Sequence, residues 1–134
     1  MSILYNKVER GNPRDVSAPK KWYATLKRVR LVREKEMAKL IADETTMDPK
    51  EVEMSLSRFQ QILIRLLLDS HSVQLGDWGS FYLTCNSAGA DTKAEVAAGS
   101  IKNLNVRFAP GKELTDALKH ATFTPVETLL SPAE

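Results

Sequence analysis

The side chains in this sequence with potential for chemistry are mostly cationic and crowded toward one end. Residues 1–35 carry ten basic groups, Lys7 through Lys35, against three acids, Glu9, Asp15 and Glu34. That segment is therefore +7 and the rest of the chain −5, within a total of +2. Lys20, Lys21, Lys27, Arg28, Arg30 and Arg33 form its densest cluster. Cations at this density suit the phosphates of a polyanion, and a basic arm on an acidic body also suits pairing between opposite patches. The plainer alternative is a solvated basic segment that contacts nothing. Trp22 and Tyr23 lie beside the cluster. They read first as core or interface aromatics, with stacking on single-stranded bases as the other role.

Other chemistry is scarcely represented. One cysteine, Cys85, excludes an internal disulfide, and with only two histidines, His71 and His120, a Cys/His zinc site is out of reach. No phosphate-cradling glycine loop, nucleophile motif or metal-ligand spacing occurs, and Gly111-Lys112 lacks the upstream glycines of a P-loop. The expectation is a protein that is not an enzyme, with no catalytic or metal site, no cofactor and no small-molecule substrate. Composition is ordinary, 43% hydrophobic and 27% charged over 134 residues, which suffices for one domain. No apolar run reaches the ~18 residues of a membrane span. Met1 to Lys7 shows no apolar stretch behind a basic start, so no secretory signal is expected. These readings point to a soluble, cytoplasmic protein.

The elements that must position the cations follow from patterning. Residues 1–33 are punctuated by Gly11, Pro13 and Pro19 and look non-helical. Trp22 to Val32, with β-branched Thr25, Val29 and Val32, predicts a strand, and Ile3 to Val8 its partner. Glu34 to Thr45 predicts a short helix, with Met37, Ala38, Leu40 and Ile41 on one face and acids in the first turn. Asp48-Pro49-Lys50-Glu51 is a strong start for a second helix running to about Ser70, because Asp48 can cap, Pro49 fits the first position and Glu51 stands at the capping-box position. Val52, Leu56, Phe59, Leu63 and Leu66 form its stripe, which Ile62, Ile64, Leu67 and Leu68 widen past one face. A helix apolar nearly all round is buried on more than one side. A second copy of the chain would supply the cover, so a homodimer is the economical expectation. The alternative is a monomer whose N-terminal strands cover that face.

After Ser70 the period changes. Val73-Gln74-Leu75 predicts a strand, Gly76 to Gly79 a tight turn, and Phe81 and Leu83 alternate with Ser80, Tyr82 and Thr84 as in a half-buried strand. Residues 86–100 are weakly patterned, either a loop or a protruding hairpin. Ile101 to Phe108 alternates again, with Leu104, Val106 and Phe108 on one side. Pro110-Gly111 ends that strand, and Lys112 to His120 predicts a final short helix. Trp78 and Phe81 read as core. The expected divisions are an extension over 1–33, a domain over 34–120 and a tail over 121–134 that orders only in part.

Two motifs carry a family resemblance. One is Val-x-Leu-x-x-aromatic-Gly-Ser-Phe at 73–81, and the other is Phe-x-x-Gly-Lys-x-Leu at 108–114. With a helix and a capped helix before them and an arm-length insert between, residues 34–120 resemble the HU and integration host factor family of bacterial histone-like DNA-binding proteins. The N-terminal extension resembles divergent HU-related proteins of Bacteroides-type bacteria. The resemblance implies an α+β fold: an intertwined dimer with a helical body, a three-stranded sheet and a β-ribbon arm, here with an added N-terminal β extension. It implies binding of double-stranded DNA with little sequence preference, as a nucleoid-associated, architectural protein.

Departures from the family matter as much as the match. The family arm tip carries Arg-Asn-Pro, whose proline wedges between base pairs. Residues 84–104 hold no proline and no arginine, and their two lysines, Lys93 and Lys102, are balanced by Asp91 and Glu95. Arg10-Gly11-Asn12-Pro13 looks like that tip but sits in the wrong part of the chain, so nothing is carried over to it. The expected DNA contacts are therefore the basic cluster of the extension, Gly79 and Ser80 at the family turn, Arg107 on the last strand, Lys112 at the last helix, and Lys93 and Lys102 on the arm. Each has a plainer role beside it: a structural turn for Gly79 and Ser80, a solvated or paired cation for the others. A second reading from another class is an HU-like dimerisation or protein-interaction module that does not bind DNA.

Overall fold

A computed structural model describes residues 1–130 as two compact units. One is built from residues 1–32 together with residues 118–130, the other from residues 33–117. The first holds strand β1 (Ile3–Arg10) hydrogen-bonded antiparallel to β2 (Lys21–Leu26), from Arg10 opposite Lys21 to Tyr5 opposite Leu26. β6 (Phe123–Pro125) lies parallel to β1 on its other side, giving the order β2-β1-β6, and α4 (Val126–Leu130) follows it. An exposed Lys7–Glu127 pair at 3.7 Å links β1 to α4. At the surface such a pair contributes at most about 1 kcal/mol.

Two sequence expectations change here. β2 ends at Leu26 rather than continuing to Val32, because its partner β1 runs out: the Lys27 N–H makes a last bond to the Leu4 carbonyl at 2.8 Å, after which residues 27–33 have no strand to pair with. Residues 123–130 are not a tail but a strand and a helical turn; Ile3 N–H donates to the Thr122 carbonyl at 2.8 Å, which anchors the segment on β1. Residues 131–134, the end of the expected tail, lie outside the described residues.

The second unit opens with α1 (Glu34–Glu44) and α2 (Pro49–Leu68). Arg33 precedes α1 without a side-chain cap, and Glu34 and Glu36 supply the acids that its N-terminus favours. The Glu34 carboxylate accepts from the Ser57 hydroxyl and the Gln60 amide, each at 3.0 Å, tying the start of α1 to the middle of α2. Asp48 and Pro49 start α2 as expected, but Asp48 Oδ2 accepts from the Lys50 N–H at 3.0 Å rather than from that of Glu51 as a capping box would have it. Its end is a Schellman motif: His71 N–H reaches the Leu66 carbonyl and Ser70 N–H the Leu67 carbonyl, with Ser70 at φ 66° in the left-handed position usually taken by glycine.

A three-stranded meander follows: β3 (Val73–Leu75), β4 (Gly79–Ser87) and β5 (Ile101–Pro110), all antiparallel, then α3 (Lys112–Lys119). The weakly patterned stretch is the tip of the β4–β5 hairpin. Ser87 pairs with Ile101, and the loop between them contains two short 3-10 turns at Lys93–Glu95 and Ala98–Ser100. The register slips between Thr84 and Asn86, and Asn103 across from the slip takes φ 55°. Asparagine tolerates that conformation, and its carbonyl accepts from the Asn105 amide at 2.9 Å.

Little is buried. The buried hydrophobic residues are Ala38, Ala42, Val52 and Leu67, with Ile41 and Leu56 packed half-buried against the first three. A second cluster joins Trp78, Phe81 and Phe108, ring centroids 5.0 to 6.0 Å apart in tilted geometry. Trp78 nonetheless stays 46% exposed, so the expectation of a core tryptophan holds only for one side of its ring. Along α2, Met54, Phe59, Ile62, Ile64 and Leu68 all remain exposed.

Candidate nucleic-acid interface

Gly79, Ser80 and Lys112 come together because the two family-like motifs are stitched to each other. The tight turn after β3, with Gly76 at φ 56°, aims the carbonyls of Asp77 and Trp78 at the start of α3. Trp78 O accepts from the Gly111 N–H at 2.8 Å, and Asp77 O from the Glu113 N–H at 3.0 Å. These bonds satisfy two donors that a helix N-terminus otherwise leaves open. The part of this site available to a phosphate is thus the exposed Lys112 side chain more than the helix end. Gly79 is buried, and a Cβ there would stand 2.5 Å from the Phe108 ring, so a side chain has no room.

Register sorts the rest of the meander. Ser80 is opposite Ala109, Tyr82 opposite Arg107 and Thr84 opposite Asn105, which puts Ser80, Tyr82 and Arg107 on one polar face. The opposite face carries Phe81, Leu83, Val106 and Phe108. Arg107 is exposed there. Lys93 and Lys102 are exposed on the hairpin, in the company of exposed Asp91 and Glu95.

The expected cluster of the extension is exposed throughout. Lys20 and Lys21 lie at the start of β2, Lys27 just past its end, and Arg28 and Arg30 in the extended residues before α1. Arg33 belongs to the second unit, at the position just before α1. Trp22 and Tyr23, read first as core or interface aromatics, are 67% and 50% exposed on β2, an edge strand of its sheet, so they are not core in the single chain and the interface reading stays open. Sequence reasoning meets Arg10 only in the tip-like Arg10-Gly11-Asn12-Pro13 and assigns it no role. The signal that finds it is register: with the chain reversing through Asn12 and Pro13, Arg10 and Lys21 become direct cross-strand neighbours. The turn between them is ordered by side-chain bonds, Asn12 Oδ1 accepting from the Arg14 N–H at 2.9 Å and Asp15 Oδ1 from the Ser17 hydroxyl at 2.6 Å and N–H at 3.1 Å. The Ser17 hydroxyl above all holds the Asp15 carboxyl below its ordinary range.

A helix pair, a three-stranded meander with a long hairpin, and a short helix locked to the β3–β4 turn define an HU-like class of protein. Over residues 1–125 the chain matches the family described as an HU domain fused to wHTH, Ig, or glycine-rich motif, and it belongs to that HU-HIG family. The match includes the N-terminal strand pair and β6. Among solved structures, one similar fold is that of a protein of Bacteroides vulgatus ATCC 8482, provisionally assigned as a bacterial DNA-binding protein, with TM-score 0.62 and 11% identity. The similarity covers 92% of this chain and 48% of that one, so this chain spans about half its length. No curated protein matches.

Proposed function

We propose that this protein binds double-stranded DNA with little sequence preference, as a homodimeric, non-enzymatic architectural component of the nucleoid. The observation that carries the reading is the exposed +7 segment attached to an HU domain whose arm is electrically balanced. Neutralising phosphates releases counterions and supplies most of the free energy of non-specific binding. The arm has little to offer that term, and Lys20, Lys21, Lys27, Arg28, Arg30 and Arg33 replace it. Lys112, Arg107 and the Gly79–Ser80 turn add contacts from the body. The assigned role of the Bacteroides vulgatus protein supports the same class of partner.

The dimer rests on surface arithmetic. The chain exposes 11789 Å², where a folded monomer of its mass exposes about 7,000 Å² and two separately folded halves about 8,500 Å². A surplus of roughly 3,000 Å² per chain exceeds the about 1,000–2,500 Å² that each partner of an obligate homodimer commonly buries, so it holds an interface of that kind. The open face of α2 and the exposed Leu104 and Val106 of β5 are the apolar surface a second copy would cover.

One observation favours the other reading, an HU-like interaction module: the arm lacks both the wedge and the net charge that DNA kinking uses. Titrating the protein into two labelled duplexes of unrelated sequence at several salt concentrations decides. Similar affinities with a steep salt slope support DNA binding; no complex at low salt rejects it.

A further inference from the structure

The N-terminal sheet places two cations side by side at one corner. Arg10 ends β1 and Lys21 begins β2 directly opposite it. Side chains so paired have their Cβ atoms about 5 Å apart on one face of the sheet, and like charges there repel. Among the described residues no carboxylate pairs with either of them. Two residues on, the same face presents Tyr23, opposite Val8 and 50% exposed. The reversing turn closes over this corner with Pro13, Ala18 and Pro19, leaving a concavity of about 590 Å³. No acid lines it: Glu9 is on the other face, opposite Trp22, and Asp15 is turned to Ser17.

We infer that this corner binds single-stranded nucleic acid, holding a phosphodiester between Arg10 and Lys21 and an unstacked base on the Tyr23 ring. An anion between the two cations removes their repulsion. The volume is in the range of ordinary small-ligand pockets and admits one nucleotide unit. The aromatic ring decides the class of partner. In a duplex the bases are stacked and offer Tyr23 no face, whereas an unpaired base does, and such stacking is indifferent to base identity. An acidic peptide would satisfy the cations and leave the ring and the prolines without a flat partner. This site shares Lys21 with the duplex contacts proposed above, and Tyr23, which has no part in those contacts, separates the two in a test.

The test uses the full chain and labelled oligothymidylate and oligouridylate of about fifteen nucleotides, within the range a small ssDNA-binding fold covers. A mixed-sequence duplex is measured alongside. Tyr23→Ala should weaken single-strand binding about tenfold and leave duplex affinity unchanged, and Tyr23→Phe should restore it, since the ring and not the hydroxyl stacks. Lys21→Ala should lower the salt slope on single strands by about 0.7. Binding of one oligonucleotide alone still supports the site and reports its sugar preference. A readout that needs no variant is photocrosslinking of a bromouracil oligonucleotide to the wild-type protein, with the adduct expected at Tyr23. The inference is overturned if neither oligonucleotide binds, if Tyr23→Ala lowers duplex affinity in parallel with single-strand affinity, if polyglutamate competes as well as oligothymidylate, or if the crosslinks map only elsewhere.

Discussion

The Gly111 N–H donates a 2.8 Å hydrogen bond to the carbonyl of Trp78, thirty-three positions earlier in the chain. The bond joins the two segments that carry the family resemblance. It sets Lys112 beside the Gly79–Ser80 turn, and it leaves Gly111 so close to the Asp77 backbone that a Cβ would overlap the Asp77 carbonyl.

Gly111→Ala should therefore destabilise the protein by about 1–3 kcal/mol, the usual cost of forcing extra volume into a packed site. The collision is with backbone, which cannot rotate away. Chemical denaturation measures it. A loss below about 0.5 kcal/mol, the scale of an ordinary surface substitution, would show that the turn and helix shift apart freely.

How much of this was readable beforehand varied with the kind of signal. The start of α2 was legible because Asp48 and Pro49 act locally, on the very backbone groups they satisfy. The β3–β4 turn and the start of α3 were legible through their motifs. The strand β6 was not: Phe123–Pro125 is three residues long and contains a proline, and only β1, far away in sequence, makes it a strand. The same reason hid the Arg10–Lys21 pair, whose chemistry exists only once the register is known. Trp22 and Tyr23 read as core or interface aromatics because aromatics usually are, and nothing local marks β2 as an edge strand.

The open face of α2 gives a direct test of the dimer. Ile64 is 58% exposed in the single chain, so Ile64→Glu would be nearly harmless to a monomer. In a homodimer packed through α2 it buries a charge, and light scattering should show dissociation, with a thermal midpoint below that of the wild type at equal protein concentration. Wild-type protein that is monomeric and stable at low concentration would reject the dimer.

The hairpin tip should contribute little to duplex affinity. Replacing residues 88–100 by Asn-Gly, a turn suited to closing antiparallel strands, removes Lys93 together with Asp91 and Glu95 and leaves Lys102 in β5. Affinity for duplex DNA should stay within about threefold. A tenfold loss, about 1.4 kcal/mol, would mean that the tip contacts DNA by shape rather than charge.

The turn between β1 and β2 should loosen in acid. Hydrogen bonds from Ser17 depress the Asp15 pKa in the folded chain, so their stabilisation is present above the ordinary carboxylate range and is lost as pH falls through the lowered value. Ser17→Ala removes the hydroxyl donor, and the Asp15 titration followed by NMR should then move up toward that of a free aspartate. An unmoved titration would show that the Ser17 hydroxyl does not hold Asp15 in solution.

The role of the extension turns on Lys27, Arg28 and Arg30, which follow β2 where it loses its partner strand. Extended backbone with exposed cations can follow a run of phosphates, and no sheet bond constrains it beyond Lys27 N–H. If all three touch DNA, replacing them together by alanine should flatten the slope of log affinity against log salt by roughly two to three per chain. The loss should be similar on unrelated sequences, because phosphates carry no sequence information. The competing account makes these cations a counterweight to the acidic remainder of the chain, and it predicts the opposite pair of results: a lowered thermal midpoint with the slope intact. Exposed cations contribute little to folding even where they are paired, so an unchanged midpoint with a reduced slope is the expected outcome. Measuring both quantities on one triple variant separates the accounts, and a lowered midpoint at constant slope would move the protein to the interaction-module reading.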